Sequence, residues 1–236
     1  MMAQRKKITY IISVIAIFFI VSCGNNKPAA NDQTAPAVAT KDSSTSPSAS
    51  TQTKTILFFG NSLTAGYGLA DPASEGFPAV IQTKIDSLKL PYKTVNAGNS
   101  GETSAGGRSR IGWILKQKVD VFVLELGAND GLRGIPVTET MLNLQAIVDT
   151  VKLKYPSVKL VLLGMMVPPN MGNDYGTKFK AIFPQLAAKN NMELVPFLLE
   201  GVGGITNLNQ PDGIHPTAEG DKIVANNIWK VLKGVL

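Results

Sequence analysis

The chain has 236 residues, of which 44% are hydrophobic, and this length and composition suit one domain with a sizeable core. The formal net charge is +6, but Arg5, Lys6 and Lys7 supply half of it near the N-terminus and the rest is spread along the chain, so no nucleic-acid partner is indicated. One cysteine excludes an internal disulfide, and one histidine with one cysteine cannot supply a zinc site, so no metal or other cofactor is expected.

The N-terminal segment has the pattern of an export signal. Three basic residues precede an apolar run of 14 residues, 8–21, which is shorter than the ~20 residues that cross a bilayer as a helix but fits the hydrophobic part of a secretory signal. The run leads to Cys23, and small residues before a lone cysteine resemble the lipobox of bacterial lipoproteins. We therefore predict a signal peptide over 1–22 and a lipid on Cys23 that anchors the protein in the cell envelope, outside the cytoplasm. The alternative is an ordinary signal peptide or short membrane anchor in which Cys23 has no role.

The next segment is predicted to be a disordered linker. Residues 24–53 are mostly Ala, Ser, Thr, Pro, Asn and Gln, and Val38 is the only branched aliphatic residue among them. Such a stretch cannot bury enough apolar surface to offset the entropy of ordering it. As a flexible coil it would span about 30 Å on average, which is enough to lift a domain off a membrane surface. The predicted order is thus a signal over 1–22, a lipidated cysteine and linker over 23–53, and a folded domain over 54–236.

From Lys54 onward, short apolar runs alternate with longer amphipathic segments. The runs are rich in Val, Leu, Ile and Phe and are predicted as strands at 55–59, 94–97, 119–126, 159–163 and 193–197. Helical spacing of apolar residues predicts helices within 77–88, 141–151 and 223–232. Continuous apolar strands are typical of a sheet covered on both faces, and the alternating order favours a three-layer α/β domain with a parallel sheet. Its functional groups should gather at the carboxyl ends of the strands.

A serine and the only histidine are the first candidates for chemistry. Ser62 follows the first predicted strand after Gly60 and Asn61, at the edge of the sheet where this class of domain places its ligands. A serine is a poor nucleophile without a base, and histidine is the residue type whose ordinary pKa lies near neutrality. His215 is therefore the candidate base. A serine that only caps a helix is the alternative, and Thr64 stands where the Gly-x-Ser-x-Gly elbow of α/β-hydrolases needs glycine.

Asp212 and His215 lie three residues apart in a segment that Pro211, Gly213 and Pro216 hold in a turn. A turn can aim both side chains the same way, so that the Asp212 carboxylate fixes the tautomer of the imidazole while the other ring nitrogen takes the Ser62 proton. The alternative is an aspartate that caps the last helix beside a surface histidine. On its own, this motif favours that alternative.

Two further segments at predicted strand ends carry hydrogen-bond donors. The backbone N–H of Gly101, the side-chain amide of Asn129 and the N–H of Ser62 could together stabilise a developing oxyanion. Ordinary turn chemistry explains the same residues, because Gly, Asn and Asp are common in any loop.

The four blocks together resemble the SGNH, or GDSL, hydrolase family, in its bacterial branch of thioesterase, lysophospholipase and arylesterase type. The blocks are Gly-Asn-Ser-Leu-Thr-Ala-Gly-Tyr, Ser-Gly-Glu-Thr, Glu-Leu-Gly-Ala-Asn-Asp-Gly-Leu-Arg-Gly and Asp-Gly-Ile-His-Pro, in the family's order. The resemblance implies a flavodoxin-like five-stranded sheet, hydrolysis of esters or thioesters without a metal, and Ser62, Gly101, Asn129 and His215 as the name-giving residues, with Asp212 completing the triad. Asn61 departs from the family, which usually has aspartate before the nucleophile, and we expect this change to tune activity without abolishing it.

The resemblance implies a small-molecule or lipid ester as substrate, and the sequence does not specify it further. Leu132, Ile135, Met166 and Pro168 lie in loops after the third and fourth predicted strands and could line an apolar acyl groove. Arg108, Arg110 and Arg133 could meet a phosphate or carboxylate, although solvated arginines are commoner. Aryl or short-chain esters, thioesters and lysophospholipids fit the same chemistry. A carbohydrate acetylesterase and a non-catalytic envelope lipoprotein that binds a lipid or glycan stay open as alternatives.

Overall fold

The computed structural model of the chain describes residues 52–236, which form an α/β domain around one parallel sheet. Its five strands are β1 (Lys54–Gly60), β2 (Tyr92–Gly98), β3 (Val121–Glu125), β4 (Lys159–Leu163) and β5 (Glu193–Val195). They lie in the order β2-β1-β3-β4-β5, and every neighbouring pair is parallel. The predicted five-stranded parallel fold is confirmed. The signal peptide, Cys23 and all of the predicted linker except its last two residues lie outside the described residues.

Eight α-helices connect and flank the strands of the described domain. They are α1 (Ser62–Ala65), α2 (Pro72–Glu75), α3 (Phe77–Ser87), α4 (Ser104–Ile114), α5 (Ala128–Leu132), α6 (Val137–Lys154), α7 (Asn173–Asn190) and α8 (Ala218–Leu232), with 3₁₀ turns at Pro169–Met171 and Thr206–Leu208. Helix α3 packs against α8, whereas α6 packs against both α4 and α7. The sheet therefore lies between two helical layers. No helix within 52–236 is long and apolar enough to span a membrane.

The sheet is covered on both sides, and its strands β1 and β3 are apolar over 56–59 and 121–124. All five residues of β3 are buried, and Ile56, Phe58 and Phe59 of β1 are fully inaccessible to solvent. A strand that faces helices on both sides has no position left for a solvated polar side chain, which explains why these runs are continuous and do not alternate. Glu125, which ends β3, is the exception, and it belongs to the site described below.

Two long helices have no clear signal in the sequence. Helix α4 contains Gly106, Gly107 and Gly112, and its apolar face is correspondingly weak. Helix α7 carries Pro184 in its interior, a residue that normally ends a helix. Both helices exist because their buried residues pack on the sheet and on α6, and this tertiary contact outweighs local propensity.

Candidate active site

Ser62 is placed by the tight connection between β1 and α1. Asn61 caps α1, and its Oδ1 accepts a hydrogen bond from the N–H of Leu63 at 3.0 Å. Ser62 is thus the first residue of the helix and not its cap, which leaves its hydroxyl free for another partner. Ser62 lies at the carboxyl end of β1 and is 9% exposed, at the bottom of an open cleft.

The structure brings Ser62, His215 and Asp212 together in one chain of hydrogen bonds. His215 Nε2 lies 2.8 Å from Ser62 Oγ, and His215 Nδ1 lies 2.7 Å from Asp212 Oδ2. With a neutral imidazole beside an ionised carboxylate, these two contacts leave one arrangement of protons. Nδ1 donates to the carboxylate, and Nε2 accepts from the serine hydroxyl.

The turn that carries Asp212 and His215 is fixed by its own backbone and by Gln210. Asp212 Oδ1 accepts from the N–H groups of Ile214 at 3.0 Å and of His215 at 3.1 Å. The carbonyl of His215 accepts from the N–H of Gln210 at 2.7 Å, and the Gln210 side chain donates to the carbonyl of Tyr67 at 2.7 Å. The imidazole is therefore held by the turn and by the segment that follows α1.

The carboxyl of Asp212 is exposed, and its contacts with the turn keep it ionised. Partial desolvation raises the pKa of its carboxyl, but the hydrogen bonds from the His215 ring and from the backbone N–H groups of Ile214 and His215 outweigh that effect and lower the pKa below its ordinary value. An ionised Asp212 can stabilise a positive charge on the imidazole. The Tyr67 ring packs beside the imidazole, with ring centroids 4.8 Å apart, and restricts its rotation.

The three residues predicted to supply oxyanion donors, Ser62, Gly101 and Asn129, line the same cleft. No hydrogen bond among the described residues takes up the backbone N–H of Ser62 or of Gly101. Asn129 gives one of its two amide hydrogens to the carbonyl of Glu102 at 3.0 Å, which leaves the other available. Gly101 has φ +78°, a conformation that favours glycine. All three predicted oxyanion donors thus line the cleft together.

The loop that carries Gly101 is held by an ion pair that the sequence analysis did not identify. Arg110 of α4 forms a two-pronged salt bridge with the buried carboxylate of Glu102, with Nε to Oε1 at 2.8 Å. The same guanidinium donates to the carbonyl of Ala97 at 3.0 Å and lies 4.3 Å from the centre of the Phe59 ring. Arg110 therefore ties the loop to the ends of β1 and β2, and it is not the solvated arginine expected from the sequence.

The other two arginines also have protein partners. Arg133 donates to the carbonyl of Gly101 at 3.0 Å, and Arg108 donates to Asn143 at 3.2 Å. Arg133 follows α5, the helix that contains Asn129, so it links the Gly101 loop to that helix. The contacts of Arg133 and Arg108 were not predicted from the sequence, because the partners lie far apart in it.

Glu125 is a second buried residue that the sequence analysis missed. It is 1% exposed, and it accepts hydrogen bonds from Asn61 and Thr64 on either side of the nucleophile. Burial raises the pKa of Glu125 to about 7, although these hydrogen bonds act in the opposite direction. The signal in the sequence was a single carboxylate at the end of an otherwise apolar strand.

The cleft above Ser62 has a volume of about 780 Å³ and mostly apolar walls, lined among others by Leu132, Met166, Val167, Pro168, Phe197 and Leu199. Leu132, Met166 and Pro168, the predicted groove residues, lie on this wall, and their part in substrate binding stays a prediction. Ile135 is not on the wall. Its N–H donates to the carbonyl of Asp130, and its own carbonyl accepts from the Tyr175 hydroxyl, so this residue braces the loop after α5. The cleft has the size and character of sites that bind small organic molecules.

A metal site is not apparent in the part of the chain that the structure describes. No group of three or more His, Cys, Asp or Glu side chains within 52–236 is arranged to hold a metal ion.

Comparison with known proteins gives the family. The model of the GDSL-like Lipase/Acylhydrolase family matches residues 58–223, which is most of the described domain. The chain belongs to this family. It is 39% identical over 184 residues to Esterase TesA of Pseudomonas aeruginosa, with 78% of this chain and 90% of that protein covered. It is 37% identical over 180 residues to Thioesterase 1/protease 1/lysophospholipase L1 of Escherichia coli strain K12, with 76% of this chain and 83% of that protein covered.

A solved structure extends this likeness to three dimensions. The psychrotrophic esterase EstA from a Pseudoalteromonas species, in a form inhibited by monoethylphosphonate, superposes with a TM-score of 0.72 at 33% identity. The match covers 77% of this chain and 98% of EstA. The match takes in nearly all of EstA, and the fold of this GDSL-family member is that of its structural neighbours.

Proposed function

We propose that this protein is a serine esterase that hydrolyses carboxylic esters through an acyl-enzyme. The observation that carries the proposal is the pair of contacts at His215, 2.8 Å to Ser62 Oγ and 2.7 Å to Asp212 Oδ2. A serine hydroxyl becomes a useful nucleophile when a base accepts its proton and a carboxylate fixes that base. Family membership and the esterase and lysophospholipase names of the relatives support the same reaction class.

The reaction proceeds in two steps. Ser62 Oγ attacks the carbonyl carbon while its proton moves to His215 Nε2, and the resulting oxyanion is stabilised by the N–H groups of Ser62 and Gly101 and the amide of Asn129. The imidazolium, stabilised by Asp212, then protonates the leaving oxygen, and the alcohol departs. In the second step His215 accepts a proton from water, the hydroxide attacks the acyl-serine, and Ser62 recovers its proton from the imidazolium.

The walls of the cleft favour esters with an apolar acyl or aryl group. Leu132, Met166 and Pro168 lie on the wall formed by the loops after β3 and β4, and a cleft of about 780 Å³ can hold a chain of several carbons. Small acetylated glycans would leave this apolar wall exposed to water, so the structure favours aryl and acyl esters, including lysophospholipids and thioesters, over the carbohydrate acetylesterase alternative.

The test is hydrolysis of a series of p-nitrophenyl esters from acetate to laurate, together with a lysophospholipid and an acetylated xylan oligomer. We expect kcat/KM to rise with acyl length to a maximum and to be lowest for the acetylated glycan. Ser62→Ala and His215→Ala should each lower kcat by about 10⁴- to 10⁶-fold. Turnover near that of the parent protein in either variant would refute the mechanism, and a preference for the glycan would refute the substrate class.

We also propose that the enzyme acts outside the cytoplasm, anchored by a lipid on Cys23. The support is the order of basic residues, the apolar run over 8–21 and the single cysteine in the sequence. Metabolic labelling with a fatty-acid analogue in a bacterial host should mark the parent chain and leave Cys23→Ser unlabelled. Equal labelling of both chains, or of neither, would contradict the anchor.

A further inference from the structure

The carboxylate of Glu125 is enclosed by the turn that carries Ser62. Its Oε2 accepts from the N–H of Asn61 at 3.0 Å, the N–H of Thr64 at 3.4 Å and the hydroxyl of Thr64 at 2.8 Å. Its Oε1 accepts from the side-chain amide of Asn61 at 2.8 Å. A side chain at Gly60 would come within 2.5 Å of Oε2, so the connection from β1 to α1 is closed tightly around this carboxylate.

The nitrogen and the oxygen of the Asn61 side-chain amide have different hydrogen-bond partners. Its Nδ2 donates to Glu125, and its Oδ1 accepts from the N–H of Leu63 at 3.0 Å. That same oxygen lies 3.4 Å from Ser62 Oγ, whose single proton has its shorter contact, 2.8 Å, with His215. The orientation of the amide is therefore set by Glu125. If the amide turned over, its NH₂ group would face the N–H of Leu63, and the cap of α1 would be lost.

We propose that Glu125 is a positioning residue for the nucleophile and acts through Asn61. The pair at positions 61 and 125 must contain one donor and one negatively charged acceptor for the turn to hold Ser62 in line with His215. This inference rests on the proposed serine esterase function, because it concerns the geometry of the same nucleophile.

The charge on Glu125 has no cationic partner in the described part of the chain. All four of its donors are neutral groups of Asn61 and Thr64, and none of the salt bridges of the domain includes it. Because burial raises the pKa of Glu125 to about 7, the carboxylate is ionised at pH 8.5, where the experiment should be done. The arrangement of one amide donor and one carboxylate acceptor can then be reversed without changing the net charge.

Glu125→Gln should damage the site, and exchange of the two residues should repair it. In Glu125→Gln the glutamine can accept at only one of the two oxygen positions. If its NH₂ faces the NH₂ of Asn61, the Asn61 amide turns over and the cap at Leu63 is lost. If its NH₂ faces the other way, it meets the backbone N–H groups of Asn61 and Thr64, which lose their acceptor. In the double variant Asn61→Asp/Glu125→Gln, the glutamine NH₂ donates to the aspartate, the glutamine oxygen accepts from the Asn61 and Thr64 positions, and the second aspartate oxygen caps Leu63. We expect kcat of Glu125→Gln to fall about 10- to 100-fold with KM within about twofold of the parent. The double variant should recover kcat to within about threefold of the parent.

The matched control is Asp221→Asn, which makes the same change from carboxylate to amide at another buried position. Asp221 is 3% exposed and is not on the wall of the cleft. Its variant should change the free energy of unfolding and leave kcat as in the parent. Each variant is assayed for ester hydrolysis and for urea unfolding, so that a loss of kcat is separated from a loss of folded protein.

The outcomes are distinct. A loss of kcat in Glu125→Gln that is repaired in the double variant supports the inference. Parent-like kcat in Glu125→Gln, or a double variant as impaired as the single one, overturns it. If Glu125→Gln does not fold, a double variant that folds and turns over supports the inference, and one that also fails to fold overturns it. Failure of the proposed function would appear in a different experiment, because the Ser62→Ala variant would then keep the esterase activity of the parent protein.

Discussion

Asp221→Asn tests how the burial of one carboxyl group makes the stability of this domain depend on pH. Asp221 lies in the first turn of α8 and accepts one hydrogen bond, at 3.3 Å, from the N–H of Phe77 at the start of α3. Burial raises the pKa of this carboxyl from 3.8 to about 7, and the bond from Phe77 offsets only part of that effect. The folded protein thus keeps the proton of Asp221 to a higher pH than the unfolded chain does. Its contribution to the free energy of unfolding falls as the pH rises from about 4 to about 7.

The size of this change in the free energy of unfolding follows from the interval between the two pKa values of Asp221. Each pH unit between the two pKa values changes the free energy of unfolding by about 1.4 kcal/mol. Between pH 5 and pH 8 this contribution changes only until the pH reaches the folded-state pKa of about 7, so the total change is about 3 kcal/mol. Asparagine keeps an acceptor for the Phe77 N–H but does not ionise. The stability of Asp221→Asn relative to the parent should therefore rise by about 3 kcal/mol from pH 5 to pH 8.

Urea unfolding of both proteins at pH 5, 6, 7 and 8 measures this difference. Comparison with the parent at each pH removes the contribution of Glu125 and of the other carboxyls. Asp149→Asn is the control, because Asp149 is exposed on α6 and accepts its hydrogen bond from Gln145 on the same helix. The reasoning is refuted if the difference between Asp221→Asn and the parent is constant over this range or shrinks as the pH rises.

Three further substitutions test the active site. Asn129→Ala should lower kcat about 10²- to 10³-fold with little change in KM, since it removes one oxyanion donor, and parent-like kcat would exclude that role. Arg110→Met should leave the buried carboxylate of Glu102 unpaired and lower the free energy of unfolding in urea by about 3 kcal/mol or more, whereas an unchanged unfolding curve would show that the ion pair does not hold the Gly101 loop. Asp212→Asn should lower kcat about 10⁴-fold because its NH₂ group faces His215 Nδ1 and favours the wrong tautomer; a loss below tenfold would contradict the assigned hydrogen bonds.

The fold could be predicted because its strands are apolar on both faces. Strand β4 was located to the residue, and β1, β2, β3 and β5 within two residues at either end. The helices with strong apolar periodicity were predicted from the sequence, whereas α4 and α7 were not. Glycines weaken the apolar pattern of α4, and Pro184 interrupts the helical pattern of α7. Their positions depend on packing against α6 and the sheet, which no local pattern encodes.

The site was predictable where chemistry demands particular residue types, and not where geometry alone decides. A single histidine, a serine at the end of the first strand and a nearby aspartate leave few choices for a proton relay, and the structure brings Ser62, His215 and Asp212 together. Their catalytic roles stay a prediction. The residues that support them were missed, because Arg110 and Glu125 look like a surface charge and an irregular strand end in the sequence. Ile135 was assigned to the cleft from its place in a loop, but it is not on the cleft wall, and its backbone bonds to Asp130 and to the Tyr175 hydroxyl.

The most direct test is covalent labelling of the purified protein with a fluorophosphonate, followed by mass spectrometry of the peptides. A phosphonate carries a tetrahedral phosphorus that reacts with an activated serine, and monoethylphosphonate inhibits the relative EstA. We predict one label per chain, located on Ser62, with simultaneous loss of esterase activity and at least about 10³-fold slower labelling of His215→Ala. A fully active protein whose label lies on another residue, or that takes up none, would contradict the account.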